Sequence, residues 1–232
     1  MPEFSLDDKA VLFSDGQSIM QAALADGRYI PHLCFHPDFK PHGSCRVCVV
    51  EVDGRYLCAC TTLAKEGMQV FSEQPEVQQL RRQLLEMLFI EGNHVCPSCE
   101  KSGACTLQSV AEYCAMLSPG LPFQFPDRKV DASHAESILD FNRCILCELC
   151  VRASREVDHK SVFAISGRGA TAHLVINSAD GRLGSSSFKN TDRAASICPV
   201  GAILPRKIGF KAPIGKRKFD LVPLSSQQEK EN

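Results

Sequence analysis

The sequence predicts an α+β chain assembled from three small cysteine-bearing units, and three observations carry that prediction. The 13 cysteines of the 232 residues fall into separate blocks, at positions 34 to 60, 96 to 114 and 144 to 198. The first block lies among short strand and turn signals around one helical stretch, and the second follows a long amphipathic pattern. The third encloses two apolar runs, between Cys150 and Cys198, that can pair as a hairpin. Composition sets the remaining bounds. Lys+Arg 26 against Asp+Glu 27 gives a net charge of -1, with no overall pull toward nucleic acid or anionic lipid. Hydrophobic content of 44% supports a packed core, and no apolar run approaches the roughly 20 residues that a membrane span needs. Met1-Pro-Glu-Phe-Ser-Leu-Asp-Asp8 lacks the pattern of a signal peptide, so a reducing cytoplasm is expected. There, closely spaced cysteines bind metal rather than pair as disulfides.

The elements follow in order. Phe4-Ser-Leu and Ala10-Val-Leu-Phe flank an Asp7-Asp8 turn, which predicts a hairpin. Ser18 to Gly27 reads as a short helix closed by a terminal glycine. A cysteine-bearing loop comes next, then strand signals at Val47 to Val52, Tyr56 to Cys60 and Met68 to Phe71, the first two joined by Asp53-Gly54. A small sheet covering one helix is the economical packing. From Pro75 to Ile90, Val77, Leu80, Leu84, Leu85 and Leu88 recur at helical spacing, with Pro75 placed as a first-turn proline. Cys105 to Leu117 permits another helix, and Pro119 to Pro126 is a proline-rich linker. Val162-Phe-Ala-Ile and His173-Leu-Val-Ile can form a hairpin before a helical stretch ending in Ile197-Cys-Pro. Residues 219 to 232 read as a polar tail.

In the first block, Cys34-x10-Cys45-x2-Cys48-x11-Cys60 supplies the four thiolates that a two-iron cluster needs, on a small-residue loop, His42-Gly-Ser-Cys-Arg-Val-Cys48. A Rieske centre is hinted at by Cys34-Phe-His36, but its second pair should end in histidine, where Cys48 stands. Zinc would favour two tight pairs, and one is present. Cys58, two residues from Cys60, could exchange with it as ligand or be a buried small hydrophobe. In the third block, Cys144-x2-Cys147-x2-Cys150 with a remote Cys198-Pro199 matches three corners and the closing corner of a four-iron cube. No Cys-x2-Cys-His occurs, which excludes c-type haem attachment. In the second block, Cys96-x2-Cys99-x5-Cys105 supplies three thiols. Its fourth ligand is His94, Cys114 or an open position; an imidazole would remove one negative charge and raise the potential.

These motifs resemble the N-terminal part of the large iron-sulfur subunit of respiratory complex I and of several hydrogenases. The resemblance is carried by Ile30-Pro-His-Leu-Cys34, Ser44-Cys-Arg-Val-Cys48, Ala59-Cys-Thr-Thr62, Asp140-x2-Arg143-Cys144 and Cys198-Pro-Val-Gly-Ala-Ile203, over residues 1 to about 210. Glu91-Gly-Asn-His-Val-Cys-Pro-Ser-Cys-Glu-Lys-Ser-Gly-Ala-Cys105-Thr-Leu-Gln108 and Pro213-Ile-Gly-Lys-Arg-Lys218 narrow it to the small iron-sulfur (diaphorase, gamma) subunit of cytoplasmic NAD-reducing [NiFe] hydrogenases, as does the length of the chain. The resemblance implies a 2Fe-2S ferredoxin-like β-grasp domain at 1-78 and a helical 4Fe-4S segment at 79-118 whose ligands are one histidine and three cysteines. It further implies a linker at 119-136, a small 4Fe-4S ferredoxin-like domain at 137-210 and a tail at 211-232. Its cofactors would be one [2Fe-2S] cluster on Cys34, Cys45, Cys48 and Cys60, and two [4Fe-4S] clusters, on His94, Cys96, Cys99 and Cys105 and on Cys144, Cys147, Cys150 and Cys198. The wider superfamily spaces its histidine three residues before the first cysteine, whereas His94 stands one residue before Cys96. Cys58 and Cys114 stay unassigned.

No nucleophile-base pair, Walker loop or paired-carboxylate pattern occurs, so a relay without catalytic residues of its own is expected. Gly167-Arg-Gly169-Ala-Thr-Ala172 fits a loose dinucleotide fingerprint but lacks the helix-then-strand crossover, and reads as a turn between strands. Arg206 to Lys218 carries six positive charges and no acid, a docking face, a balance for anionic clusters or a solvated tail. The expected role is passing single electrons between a flavin- and NAD-binding diaphorase subunit and the small and large hydrogenase subunits, with FMN, NAD and Ni-Fe on those partners and no nucleic acid or membrane. The alternatives are an electron-input subunit of another NAD-linked complex (complex I-like or formate dehydrogenase) and a free polyferredoxin, which would ordinarily be strongly acidic.

Overall fold

Asp7 and Asp8 both take positive φ, 48° and 62°, and so close a tight turn between β1 (Glu3–Leu6) and β2 (Lys9–Leu12), a twist-matched hairpin tolerated at aspartate. The computed structural model describes residues 1–210 and 212–222. Ser18 caps α1 (Ile19–Ala25) in a capping box with Gln21, and Ile19, Met20, Ala22 and Ala23 are buried beneath the sheet. A loop leads to β3 (Val49–Val52), the Asp53-Gly54 turn, β4 (Arg55–Cys58) and β5 (Gln69–Phe71). The five strands lie in the order β2-β1-β5-β3-β4, with β1 and β5 parallel. Phe4, Leu6, Val11, Val50, Val52 and Val70 close this first core over α1.

The helix α2 (Pro75–Ile90) has the predicted bounds, with proline in its first turn and Val77, Leu85 and Ile90 buried. Arg81 is fully buried too, its guanidinium donating to the carbonyls of Ser72 and Val49, which ties α2 to the first sheet. The next helix, α3 (Thr106–Tyr113), stops short of Leu117: Cys114 is its cap and Ala115 takes φ 55°, which turns the chain.

The third unit carries elements that periodicity alone does not disclose. A sheet of β6 (Val130–Asp131), β7 (Ser137–Asp140) and β10 (Ile203–Pro205) forms in the order β10-β7-β6. Between its strands lie α4 (Leu149–Glu156), the hairpin β8 (Phe163–Ser166) and β9 (His173–Ile176), and the single turn α5 (Arg193–Ser196). Gly167 to Ala172 connects β8 to β9 as the expected turn. The basic run does not stand free where it is described: Arg206 donates to the carbonyls of Ala132 and His134, and Arg217 pairs with Asp220. The end of the predicted polar tail, 223–232, and Lys211 lie outside the described residues.

Candidate metal centres

Three groups of thiols emerge from these elements. In the first, Cys34 and Cys45 stand on the loop between α1 and β3, Cys48 precedes β3, and Cys60 follows β4; all four are buried. Arg46, between the loop pair, takes φ 57°. That left-handed residue costs on the order of 1 kcal/mol, and alternation of this kind turns successive amides toward one point, the arrangement that binds anionic centres. The Val47 amide accordingly donates to the Cys45 sulfur. Cys34 is held well below the usual thiol range, first by hydrogen bonds from the Cys45 and Cys60 thiols. Binding iron would displace the protons of those thiols. Cys58 is half-buried on β4 and its thiol donates a hydrogen bond to the Cys48 sulfur, which raises it.

The third block repeats the device. Leu146 and Glu148, which flank Cys147, take φ 51° and 59°. The Leu146 amide donates to the Cys144 sulfur and the Leu149 amide to that of Cys147. Cys147 and Cys150 are pushed well above the usual thiol range, by burial first, and Cys198 is among the neighbours that add to the effect in both. Cys198 is brought there by α5, whose first amides, Arg193 and Ala194, donate to the Asp158 carboxylate, while Lys160 pairs with Asp192 at 2.6 Å. All four predicted ligands of this block therefore meet.

The middle block is built differently. His94, Cys96, Cys99 and Cys105 line one small cavity together with Arg143 and Gly201 of the third unit. The His94 Nε2 is buried without a hydrogen-bond partner, and its imidazole is pushed down to about 4, by burial and then by Arg128 and Arg143. A neutral ring with an unused nitrogen is what a ligand imidazole requires. Cys114 instead lies buried at the end of α3, its neighbours being Arg81 and Glu73, outside that cavity. Sequence spacing leaves the choice open; the fold brings His94 to the thiols and Cys114 away from them. Two glycines make this possible: a Cβ on Gly92 would lie 2.7 Å from His94 Nε2, and one on Gly201 would lie 2.9 Å from the Cys99 sulfur. Gly201 is a site residue that cysteine and histidine patterns could not disclose.

A zinc site needs four donors around one point, at about 2.3 Å for sulfur. Crowded thiols with amide donors and an orphaned imidazole fit polynuclear iron-sulfur cores better than one ion. The three groups also have an order in space. Cys34 is near enough to Cys147 to raise its thiol further. Arg143, beside Cys144, pairs with Glu100, beside Cys99, at 2.8 Å, and the Thr106 amide donates to the Pro199 carbonyl at 2.8 Å. The third group thus touches both of the others.

Comparison with known proteins agrees in each segment. Residues 2–75 match the 2Fe-2S iron-sulfur cluster binding domain, 81–118 the NADH-ubiquinone oxidoreductase-G iron-sulfur binding region, and 138–204 the 4Fe-4S single cluster domain. The gamma subunit of the NAD-reducing hydrogenase HoxS of Cupriavidus necator is 38% identical over 94% of this chain and 93% of its own length. A subunit of the NADH-quinone oxidoreductase of Mycobacterium bovis is 33% identical over 96% of this chain, which spans 27% of that relative. A chain of the crystal structure of NAD+-reducing [NiFe]-hydrogenase in the H2-reduced state superimposes with a TM-score of 0.95 at 50% identity, over 98% of this chain and 97% of that one. Among the described residues, no helix is long and apolar enough to cross a membrane.

Proposed function

Because the chain belongs to the family of NAD-reducing hydrogenase gamma subunits, we propose that it is the iron-sulfur relay between a flavin- and NAD-binding diaphorase subunit and the small and large subunits of a [NiFe] hydrogenase. The overall reaction served would be H2 + NAD+ = NADH + H+, in the cytoplasm. FMN, NAD and the nickel-iron centre belong on the partners, and the chain contributes no catalytic residue.

The proposed ligand sets are Cys34, Cys45, Cys48 and Cys60 for one [2Fe-2S] cluster, His94, Cys96, Cys99 and Cys105 for one [4Fe-4S] cluster, and Cys144, Cys147, Cys150 and Cys198 for another. When bound, these clusters supply one-electron steps between two-electron chemistries at either end. The protein's own work is to hold the ligands in place, exclude water and direct amides at sulfur. The observation that carries the reading is the order of the ligand groups. The third stands between the first, through Cys34 and Cys147, and the middle one, through Gly201 and Cys99. A third group with neighbours in both of the others supports a path on which the binuclear site is one end rather than a side store. It also accounts for the first four thiols dividing between two cores, Cys48 and Cys60 with the N-terminal sheet, Cys34 and Cys45 with the third unit. The domain bounds 1-78, 79-118, 119-136, 137-210 and 211-232 follow the same ligand groups.

Native anaerobic purification followed by nickel, flavin and subunit analysis tests the proposal. Co-purification with flavin- and nickel-bearing subunits is expected. A fully loaded, stable chain found on its own would instead indicate a free carrier.

A further inference from the structure

Arg152 lies on α4 at the seam between the first and third ligand groups and is 4% exposed. Its Nη1 donates to the Lys40 carbonyl at 3.0 Å. Its Nη2 donates to the Cys34 carbonyl at 2.5 Å and, more weakly, to that of Cys147 at 3.4 Å; Nε reaches the Glu148 carbonyl at 3.4 Å. Its guanidinium carbon lies 5.6 Å from the centre of the Phe39 ring. All these acceptors are backbone carbonyls, and none of the ion pairs among the described residues includes Arg152. A permanently charged guanidinium held out of water without a carboxylate is costly unless another anion faces it. At this seam the Glu148 carboxylate is paired with His42, and the groups that would carry negative charge once a cluster is bound are the Cys34 and Cys147 sulfurs and what they ligate.

We propose that Arg152 is a positioning residue that acts through the Cys34 and Cys147 segments, its fixed positive charge raising the reduction potentials of both groups held there. The inference rests on the ligand assignment above. Because adding an electron makes either group more negative, a nearby cation stabilises the reduced form of each. Placing one cation against both segments lifts the two potentials together and leaves the step between them unchanged, so the pair is shifted as a unit relative to the redox partners on either side. The same fork also holds the N-terminal domain against the third unit, since Cys34 and Lys40 belong to one and Cys147 and Glu148 to the other. A purely mechanical clamp would do the second task and not the first.

The test is a redox titration of the anaerobically purified native complex, followed by electron paramagnetic resonance, for wild type and for Arg152→Gln, Arg152→Met and Arg152→Lys. In the neutral variants both potentials should fall. The reduced-to-oxidised ratio at fixed poise should drop about tenfold, which is about 59 mV for a one-electron couple. Arg152→Lys, which keeps the charge but not the fork, should stay near wild type even where its melting temperature drops. Unchanged potentials in an iron-loaded neutral variant would overturn the proposal. So would an equal fall in Arg152→Lys, or loss of iron from all three variants alike. Loss of iron from the neutral variants alone, with Arg152→Lys loaded and near wild-type potentials, supports it. A wild-type binuclear signal that survives Cys34→Ser would overturn the ligand assignment and this proposal with it.

Discussion

The third ligand group and the middle one hold four donors each by opposite means. The third draws its four donors and its amide nest from its own stretch of sequence. Its triplet carries two left-handed residues, Leu146 and Glu148, that turn amides toward the sulfurs, and Cys147 and Cys150 are buried in a core to which all three units contribute. The middle group has three partly buried thiols, as Cys144 and Cys198 of the third also are, and an imidazole, and no left-handed residue lies between Cys96 and Cys99. Its cavity is closed by residues from the third unit, Arg143 and Gly201. A site with its own nest is legible in its own motif, whereas a borrowed site depends on a distant part of the chain. The middle group should therefore be the more easily lost of the two.

The largest effect is expected from Cys147→Ala. It removes a ligand of the group that touches both others, so the chain should lose about four iron atoms, and hydrogen-dependent NAD reduction should drop at least about 100-fold. Iron content and that assay check it. His94→Ala should alter or remove only the middle cluster, leaving the signals of the other two; an unchanged spectrum would transfer the fourth-ligand role elsewhere. Gly201→Val breaks the comparison more pointedly. It lies in the third unit's sequence, yet its side chain would press on the Cys99 sulfur, so the middle cluster should be depleted while the third keeps its iron. Loss of the third cluster instead would show that the middle site is not the borrowed one. The smallest effects belong to the unassigned thiols. Cys58→Ala and Cys114→Ala should each keep all iron, with about 1 kcal/mol of stability lost at buried Cys114, measured by denaturant unfolding of the loaded protein.

Much of this is readable from residue order, and the exceptions have physical causes. The N-terminal hairpin, α1 and α2 announce themselves because Asp7-Asp8, Ser18 and Pro75 are local punctuation whose effect needs no distant partner. The strands β6, β7 and β10 are not apparent, since Val130–Asp131 and Ile203–Pro205 are too short for a period and become strands only by pairing with β7. Helix α4 is hidden because its first turn holds Cys150, whose spacing reads as a ligand loop. The cysteine triplets are visible as chemistry, while the choice between His94 and Cys114 is not. What sets His94, and not Cys114, beside the three thiols is Ala115, which ends α3 and leaves Cys114 near Arg81, and Gly92, which leaves room for the imidazole. The tie between the first and third groups through Arg152 spans 118 residues to Cys34 and leaves no mark in either motif.

The most direct measurement is iron and acid-labile sulfide in the native, anaerobically purified protein. The account predicts a brown protein with about ten iron and about ten sulfide per chain. Zinc in place of iron, or sulfur-sulfur crosslinks among Cys34, Cys45, Cys48, Cys60, Cys144, Cys147, Cys150 and Cys198, would contradict it.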